Sequence, residues 1–272
     1  MPKVLSQDQV ERFRSQGYLL PPEPIFNPAR FQALCDYFEE LQERWRIHTG
    51  RPIEEMDKTH FWDTRLFDWA ADEHLLDLVE DIVGPDITLF STHFIAKPPG
   101  SGKRVPWHED SGYWRTLWDP MDVVTVWLAI DPSTRANGCM QVIPGSQVNG
   151  YSDYEAVEDA AGNVFPTRIR SDQMDESRAV ALELEPNHCS LHHARIIHGS
   201  EPNTSDQRRC GLTMRYVGSQ ARWLAEDRHR HHRNYALRGR IHHDNAYAEP
   251  GSINRAFVEH VGFTALCSTP SS

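Results

Sequence analysis

Within the stretch PWHEDSGYW, from Pro106 to Trp114, a histidine and an aspartate stand two positions apart, His108 and Asp110. On an extended chain residues i and i+2 share a face, which sets an imidazole beside a carboxylate. Two such groups do not hold a catalytic metal alone, and the run HHARIIHGS offers a third in His198. Two histidines and one carboxylate, with other positions left open, make the facial ligand set of non-heme Fe(II) oxygenases. An HxD triplet by itself recurs by chance, so the weight comes from its surroundings. His108 and Asp110 follow a strand-like segment and the turn Pro98-Pro99-Gly100, and His198 follows a second strand. Arg208 and Arg209 then stand at the start of a further strand. A ferrous ion with three protein ligands leaves roughly three positions open. A 2-oxo acid that chelates through two of them needs a buried, fork-shaped cation for its distant carboxylate, which arginine supplies better than lysine. Adjacent arginines are otherwise an ordinary solvated pair.

The elements that must position these groups change character along the chain. Ser6 with Gln9 forms a capping box for a helix that Gly17 stops. Asn27-Pro28 supplies an N-cap and a first-turn proline for a second helix, with Phe31, Leu34, Cys35, Phe38, Leu41 and Trp45 at helical spacing. Gly50-Arg51-Pro52 ends it. HFWDTRLFDWA, from His60, is aromatic without a clean period and could pack on the core or line a pocket. A third helix is expected from about Asp72 to Val83, closed by Gly84-Pro85. Strands follow at ITLFSTHFIAK, at Asp122–Asp131, at Ala179–Leu184, at Cys189–His193 and at Gly211–Val217. Residues 150 to 177 are polar and acidic and are expected to pass over the surface.

Helices first and then a series of strands predict a mainly β fold with an N-terminal helical layer, an antiparallel sandwich or jelly roll. One domain over residues 1–272 is expected, with a helical layer to 85, a jelly-roll core from 86 to 217 and a His/Arg-rich segment from 218. That last segment reads as solvated or in contact with another copy, with a second metal site or a lid as other uses of its histidines.

Composition narrows the function classes. The chain has 272 residues, of which 39% are hydrophobic and 25% charged, as in a soluble globular enzyme. A net charge of −11 argues against nucleic-acid binding, which recruits lysine and arginine. The opening MPKVLSQDQVERFRSQ lacks the apolar core of a signal peptide, and no apolar run is long enough to cross a membrane. The five cysteines are scattered and form no CxxC pair, which suits reduced thiols in a cytoplasmic protein. No part of the pattern specifies an oligomeric state.

Taken together, DQVERFRSQGYLL, VEDIVGPDI, AKPPGSGKRVPWHEDSGYW, VWLAID, NGCMQVIPGS and IIHGSEPNTSDQRR resemble the phytanoyl-CoA dioxygenase family of Fe(II)/2-oxoglutarate-dependent oxygenases. The resemblance runs from about residue 7 to residue 217, with the motifs in order. It implies a double-stranded β-helix, the cupin-like jelly roll. It implies iron held by His108, Asp110 and His198, with O2 as the oxidant. It implies 2-oxoglutarate held at its far carboxylate by Arg209, which follows His198 by the family's interval of eleven positions, and by the hydroxyl of Ser200. Lys97 and Trp127 match positions that line the cosubstrate pocket. Many members carry glutamine between the histidine and the aspartate; here stands Glu109, which must point away from the dianionic cosubstrate or meet a cation such as Arg104 or Arg115. Related halogenases have a small residue in place of Asp110, so hydroxylation of an aliphatic carbon is implied.

For the substrate, Phe61, Trp62, Arg65, Tyr113, Trp114, Arg115 and Trp223 are the candidates. Aromatic walls with cations suit a small molecule with an anionic end. His192 and His193 point to opposite faces of their strand, one toward the site and one away. Two rivals keep the same barrel: a zinc or manganese enzyme that does not use 2-oxoglutarate, and a non-catalytic module that binds a small ligand. Succinate formed in dependence on Fe(II), O2 and a substrate separates them.

Overall fold

The capping box expected at the N-terminus is made: the Ser6 hydroxyl accepts from the Gln9 N–H while the Gln9 side chain accepts from the Ser6 N–H. It opens α1 (Gln7–Gln16), which Gly17 ends in the left-handed conformation. The computed structural model describes residues 2–100, 102–224 and 229–267. After the short strand β1 (Tyr18–Leu19), α2 (Pro28–Thr49) starts from the Asn27 cap and buries Leu34, Tyr37, Phe38, Leu41 and Trp45. Two 3-10 turns and the single turn α3 (Phe67–Ala70) fill the aromatic stretch, and Phe61, Trp62, Phe67 and Trp69 all enter the helical core. Asp72 caps α4 (Glu73–Val83).

The strands then follow as β2 (Ile87–Lys97) and β3 (Val105–His108), the single turn α5 (Ser111–Trp114), and β4 (Trp118–Asp119), β5 (Val123–Ala129) and β6 (Met140–Val142). Next come β7 (Tyr154–Ala156), β8 (Thr167–Ile169), β9 (Val180–Ala181), β10 (Cys189–His193) and β11 (His198–Ser200). The chain continues through β12 (Arg209–Gly218), β13 (Arg222–Trp223), β14 (Tyr235–Arg238) and α6 (Arg255–Val261). A six-stranded sheet in the order β1-β10-β5-β12-β2-β14 faces a four-stranded sheet in the order β3-β11-β6-β9, as expected for the double-stranded β-helix, or jelly roll.

Alternation along β12 sorts its side chains between two environments. Leu212, Met214 and Tyr216 join the core beneath the helices, together with Val124, Val126, Leu128 and Leu191 of neighbouring strands. Arg209, Thr213 and Arg215 point the other way, into the barrel cavity. The large sheet is therefore apolar toward the helical layer and polar toward its interior.

The segment after 217 differs from expectation. It is not a solvated tail: β14 adds an edge strand against β2, Tyr235 is fully buried, and α6 sets Phe257 against Phe61 with ring centroids 4.9 Å apart. Residues 225–228, within its Arg/His-rich run, lie outside the described residues. The expected strand at Ala179–Leu184 is reduced to Val180–Ala181, with Leu184 bridging separately to Ser133.

Candidate metal centre

His108 ends β3, and His198 opens β11 directly across from it in register. The pairing brings the two imidazoles together, with ring centroids 4.1 Å apart and planes tilted by 47°. Asp110 joins them by a different route from the one its spacing suggested. The strand stops at His108, and Asp110 has helical angles, φ −57° and ψ −37°, as the residue that begins α5. A turn, not strand alternation, swings the carboxylate inward. Its Oδ1 lies 3.9 Å from Nε2 of each histidine. One donor atom from each of the three residues falls within 4.8 Å of the others, the one such group among the described residues.

The donor set fits a divalent metal. Nδ1 of His108 faces the Pro106 carbonyl at 2.8 Å, and Nδ1 of His198 faces the Ile196 carbonyl at 3.0 Å. A carbonyl can only accept, so each Nδ1 carries a proton and Nε2 is the nitrogen turned toward the centre. Burial, and then the neighbouring His198, lowers His108 to about 3 and keeps it neutral. Burial would raise Asp110, but Arg215 and the surrounding histidines outweigh it and hold the carboxyl at about 2. A neutral imidazole at His108 beside an ionised Asp110 is the state that ligation requires of them.

The other carboxylate oxygen of Asp110 faces two groups whose place at the site went unforeseen or only half seen. Arg215 Nε stands 3.6 Å from Oδ2, and His192 Nε2 stands 4.0 Å from it. His193, on the opposite face of β10, instead approaches Asp122 at 3.8 Å. The signal for Arg215 was in the sequence, because it follows Arg209 at an even interval on one strand and so shares its face.

Arg209 enters the barrel while Arg208 leaves it. Arg208 reaches outward to Asp131 and Glu39, both at 2.7 Å. Arg209 is buried, its Nε has no hydrogen-bond partner among the described residues, and burial lowers it to about 10. Its guanidinium lies 5.4 Å from the Trp127 ring, and Lys97 is its direct cross-strand partner. Lys97 donates to the Ser200 carbonyl at 3.4 Å and to the Glu201 carbonyl; burial, reinforced by Arg209, lowers it to about 6. Lys97, Trp127, Ser200 and Arg209 line the same cavity of about 830 Å³ as the three metal-facing residues.

Glu109 points away from this cavity and meets neither Arg104 nor Arg115. Its carboxylate accepts from Ser111 Oγ at 2.8 Å, from the Ser152 N–H at 2.9 Å and from the Ser152 hydroxyl. Arg104 pairs with Glu201 at 2.6 Å. Arg115 lies 4.4 Å from the Tyr151 ring and donates to the Ser152 carbonyl at 3.2 Å.

Of the substrate candidates, Tyr113, Trp114 and Trp223 line the cavity, and Phe61, Trp62, Arg65 and Arg115 do not. Trp62 packs in the helical core with its ring 6.0 Å from Trp45. Arg65 is held by Asp63 at 2.7 Å and Glu40 at 2.8 Å, which leaves it no charge to offer a ligand. His232 was not foreseen as a wall residue, yet it is buried, lines the cavity and stacks on Trp223 at 4.8 Å. His242 and His243 bond to Asp86 and the Gln220 carbonyl on the outside.

The family model of phytanoyl-CoA dioxygenase (PhyH) matches residues 2–211. The chain belongs to this family. Its members are non-heme iron oxygenases that consume 2-oxoglutarate and O2, and the chain is an enzyme of that class. A probable phytanoyl-CoA dioxygenase of Caenorhabditis elegans is 28% identical over 79% of this chain and 76% of its own length. A probable alpha-ketoglutarate-dependent hypophosphite dioxygenase of Stutzerimonas stutzeri is also 28% identical, over 66% of this chain and 62% of its own length. Among solved structures, the non-heme monooxygenase ThoJ in its apo form shares the fold, with a TM-score of 0.75, 24% identity and 96% of each chain covered. No helix among the described residues is long and apolar enough to cross a membrane.

Proposed function

We propose that this family member hydroxylates an aliphatic carbon of a small organic molecule. His108, Asp110 and His198 hold the ferrous ion, and Arg209 grips the far carboxylate of 2-oxoglutarate. The observation that carries this reading is the meeting of three donor atoms within 4.8 Å on the wall of a cavity that also contains the buried Arg209 guanidinium, whose Nε has no hydrogen-bond partner among the described residues. Ferrous iron supplies O2 activation coupled to decarboxylation of the keto acid, and with it the power to break an aliphatic C–H bond.

The side chains do the positioning. His108 and His198 keep Nε2 turned inward through the two carbonyl bonds. Asp110 brings one negative charge and occupies the place a halide would need, which favours hydroxylation over halogenation. Trp127 lies against the Arg209 guanidinium, so the fork stays aimed at a carboxylate, with the Ser200 hydroxyl beside it. Phe90, Trp114 and Trp223 give the substrate side of the cavity an apolar wall. The five cysteines are unpaired, which supports a cytoplasmic setting.

The test is a substrate panel offered to Fe(II)-loaded protein, with 2-oxoglutarate consumption and succinate followed together. Succinate that requires Fe(II), O2 and one class of substrate is the expected result. Metal-dependent conversion of a substrate without 2-oxoglutarate would reject the proposal.

A further inference from the structure

One polar row crosses the inner face of the large sheet: His192 on β10, Thr125 on β5, Arg215 on β12 and Ser91 on β2, each opposite the next in register. On the other face, the neighbouring residues Leu191, Val126 and Met214 are apolar. Three members of the row have a buried polar atom with no hydrogen-bond partner among the described residues, namely His192 Nδ1, Thr125 Oγ1 and Arg215 Nε. A guanidinium carries five N–H donors. Among the described residues, Arg215 makes one hydrogen bond, from Nη1 to Thr213 Oγ1 at 3.1 Å. Asp110 Oδ2, at 3.6 Å from Nε, is beyond bonding distance. Buried polar groups left this open cost free energy unless something else fills them.

Arg215, Ser91 and His192 all line the cavity, so what fills them can come from solution. The charges favour an anion. Fe(II), Asp110, Arg209 and a 2-oxoglutarate dianion sum to zero, and the wall pair Lys58–Asp57 is self-neutralising. Lys97 bonds to the Ser200 and Glu201 carbonyls on the cosubstrate side of the cavity. Glu54, Glu55 and Lys103 also line the wall but are exposed to solvent, which screens them, so among the buried groups the Arg215 charge is left over. An apolar surface begins directly beside it: Trp114 lies 5.2 Å from the guanidinium, and Phe90 meets Trp114 edge-on at 5.0 Å.

We propose that the substrate is an organic acid whose carboxylate docks on Arg215 and Ser91 while its apolar body lies against Trp114 and Phe90. The inference rests on the oxygenase reading above and narrows its substrate class. A carboxylate brings two acceptor oxygens to the unused guanidinium edge, forming charge-assisted bonds that a neutral amide cannot match.

Calorimetric titration under nitrogen tests it, with protein loaded with Fe(II) and 2-oxoglutarate and the probe pairs phenylacetate with phenylacetamide and hexanoate with hexanamide. The loaded protein is first checked for its visible charge-transfer band, whose absence would count against the oxygenase reading rather than against this proposal. With the band present, each acid is expected to bind about tenfold or more tightly than its amide. Arg215→Gln is expected to abolish that preference and Arg215→Lys to keep part of it, with the band retained in both. Should Arg215→Gln lose the metal, Ser91→Ala serves in its place, with a several-fold weaker acid preference expected. Equal binding of acid and amide by the wild type, or a preference untouched by these substitutions, would overturn the proposal.

Discussion

Ser152 closes on the carboxylate of Glu109 with both its backbone N–H and its hydroxyl. Glu109 is the residue between two of the metal-facing groups, so the polar excursion that follows residue 150 is tied to the metal motif itself. The excursion returns over the site, with Phe165 against the His108 ring at 5.2 Å and Ile169 fully buried. Glu109→Gln would replace a charged acceptor of three hydrogen bonds by a neutral amide with one accepting oxygen, which weakens the charge-assisted bonds from Ser111 and Ser152. A loss of about 1–3 kcal/mol is expected in urea unfolding, with faster proteolysis of the excursion. Unchanged stability and unchanged cleavage would show that this anchor does not matter.

Gly211 lies between Arg209 and Thr213 on the inner face, where a Cβ would come within 2.2 Å of the Trp127 indole. Gly211→Ala must therefore push Trp127 off the Arg209 guanidinium. The KM for 2-oxoglutarate should rise about tenfold, with a stability loss of about 1–3 kcal/mol. Tryptophan fluorescence and steady-state kinetics check both.

Arg209→Lys keeps the charge and loses the fork. The expected result is a rise of about tenfold or more in the KM for 2-oxoglutarate with Fe(II) affinity unchanged. Equal loss of both affinities would mean that Arg209 supports the metal wall rather than the keto acid.

Burial lowers His108, His192 and His232 to about 3, so all three are folded in the neutral form. An unfolded chain protonates its histidines near pH 6.5, where the folded chain does not. Stability is thus full above that pH and falls as the pH drops toward 3, by up to about 1.4 kcal/mol per pH unit for each histidine. The metal-free protein should melt at progressively lower temperature from about pH 7 to about pH 5. A flat melting temperature over that range would contradict the neutral, buried assignment.

Much of this was legible in local sequence. The caps at Ser6, Asn27 and Asp72 and the long apolar strands β2 and β12 are signals confined to neighbouring residues. The short strands β3 and β11 carry no comparable signal, since three or four residues become a strand only through their partners. The reach of Arg65 and Arg115 depends on which carboxylate or ring lies nearby after folding, so residue type alone misassigned them. His232 was hidden differently: its burial follows from the docking of the C-terminal segment onto the barrel, which no periodicity announces.

The convergence of His108, Asp110 and His198 is tested most directly by anaerobic addition of Fe(II) and 2-oxoglutarate to the metal-free protein. A weak visible charge-transfer band is expected for the wild type and its loss for His198→Ala, with both proteins folded by circular dichroism. A folded wild type without the band, or a His198→Ala protein that keeps it and turns over normally, would contradict the account.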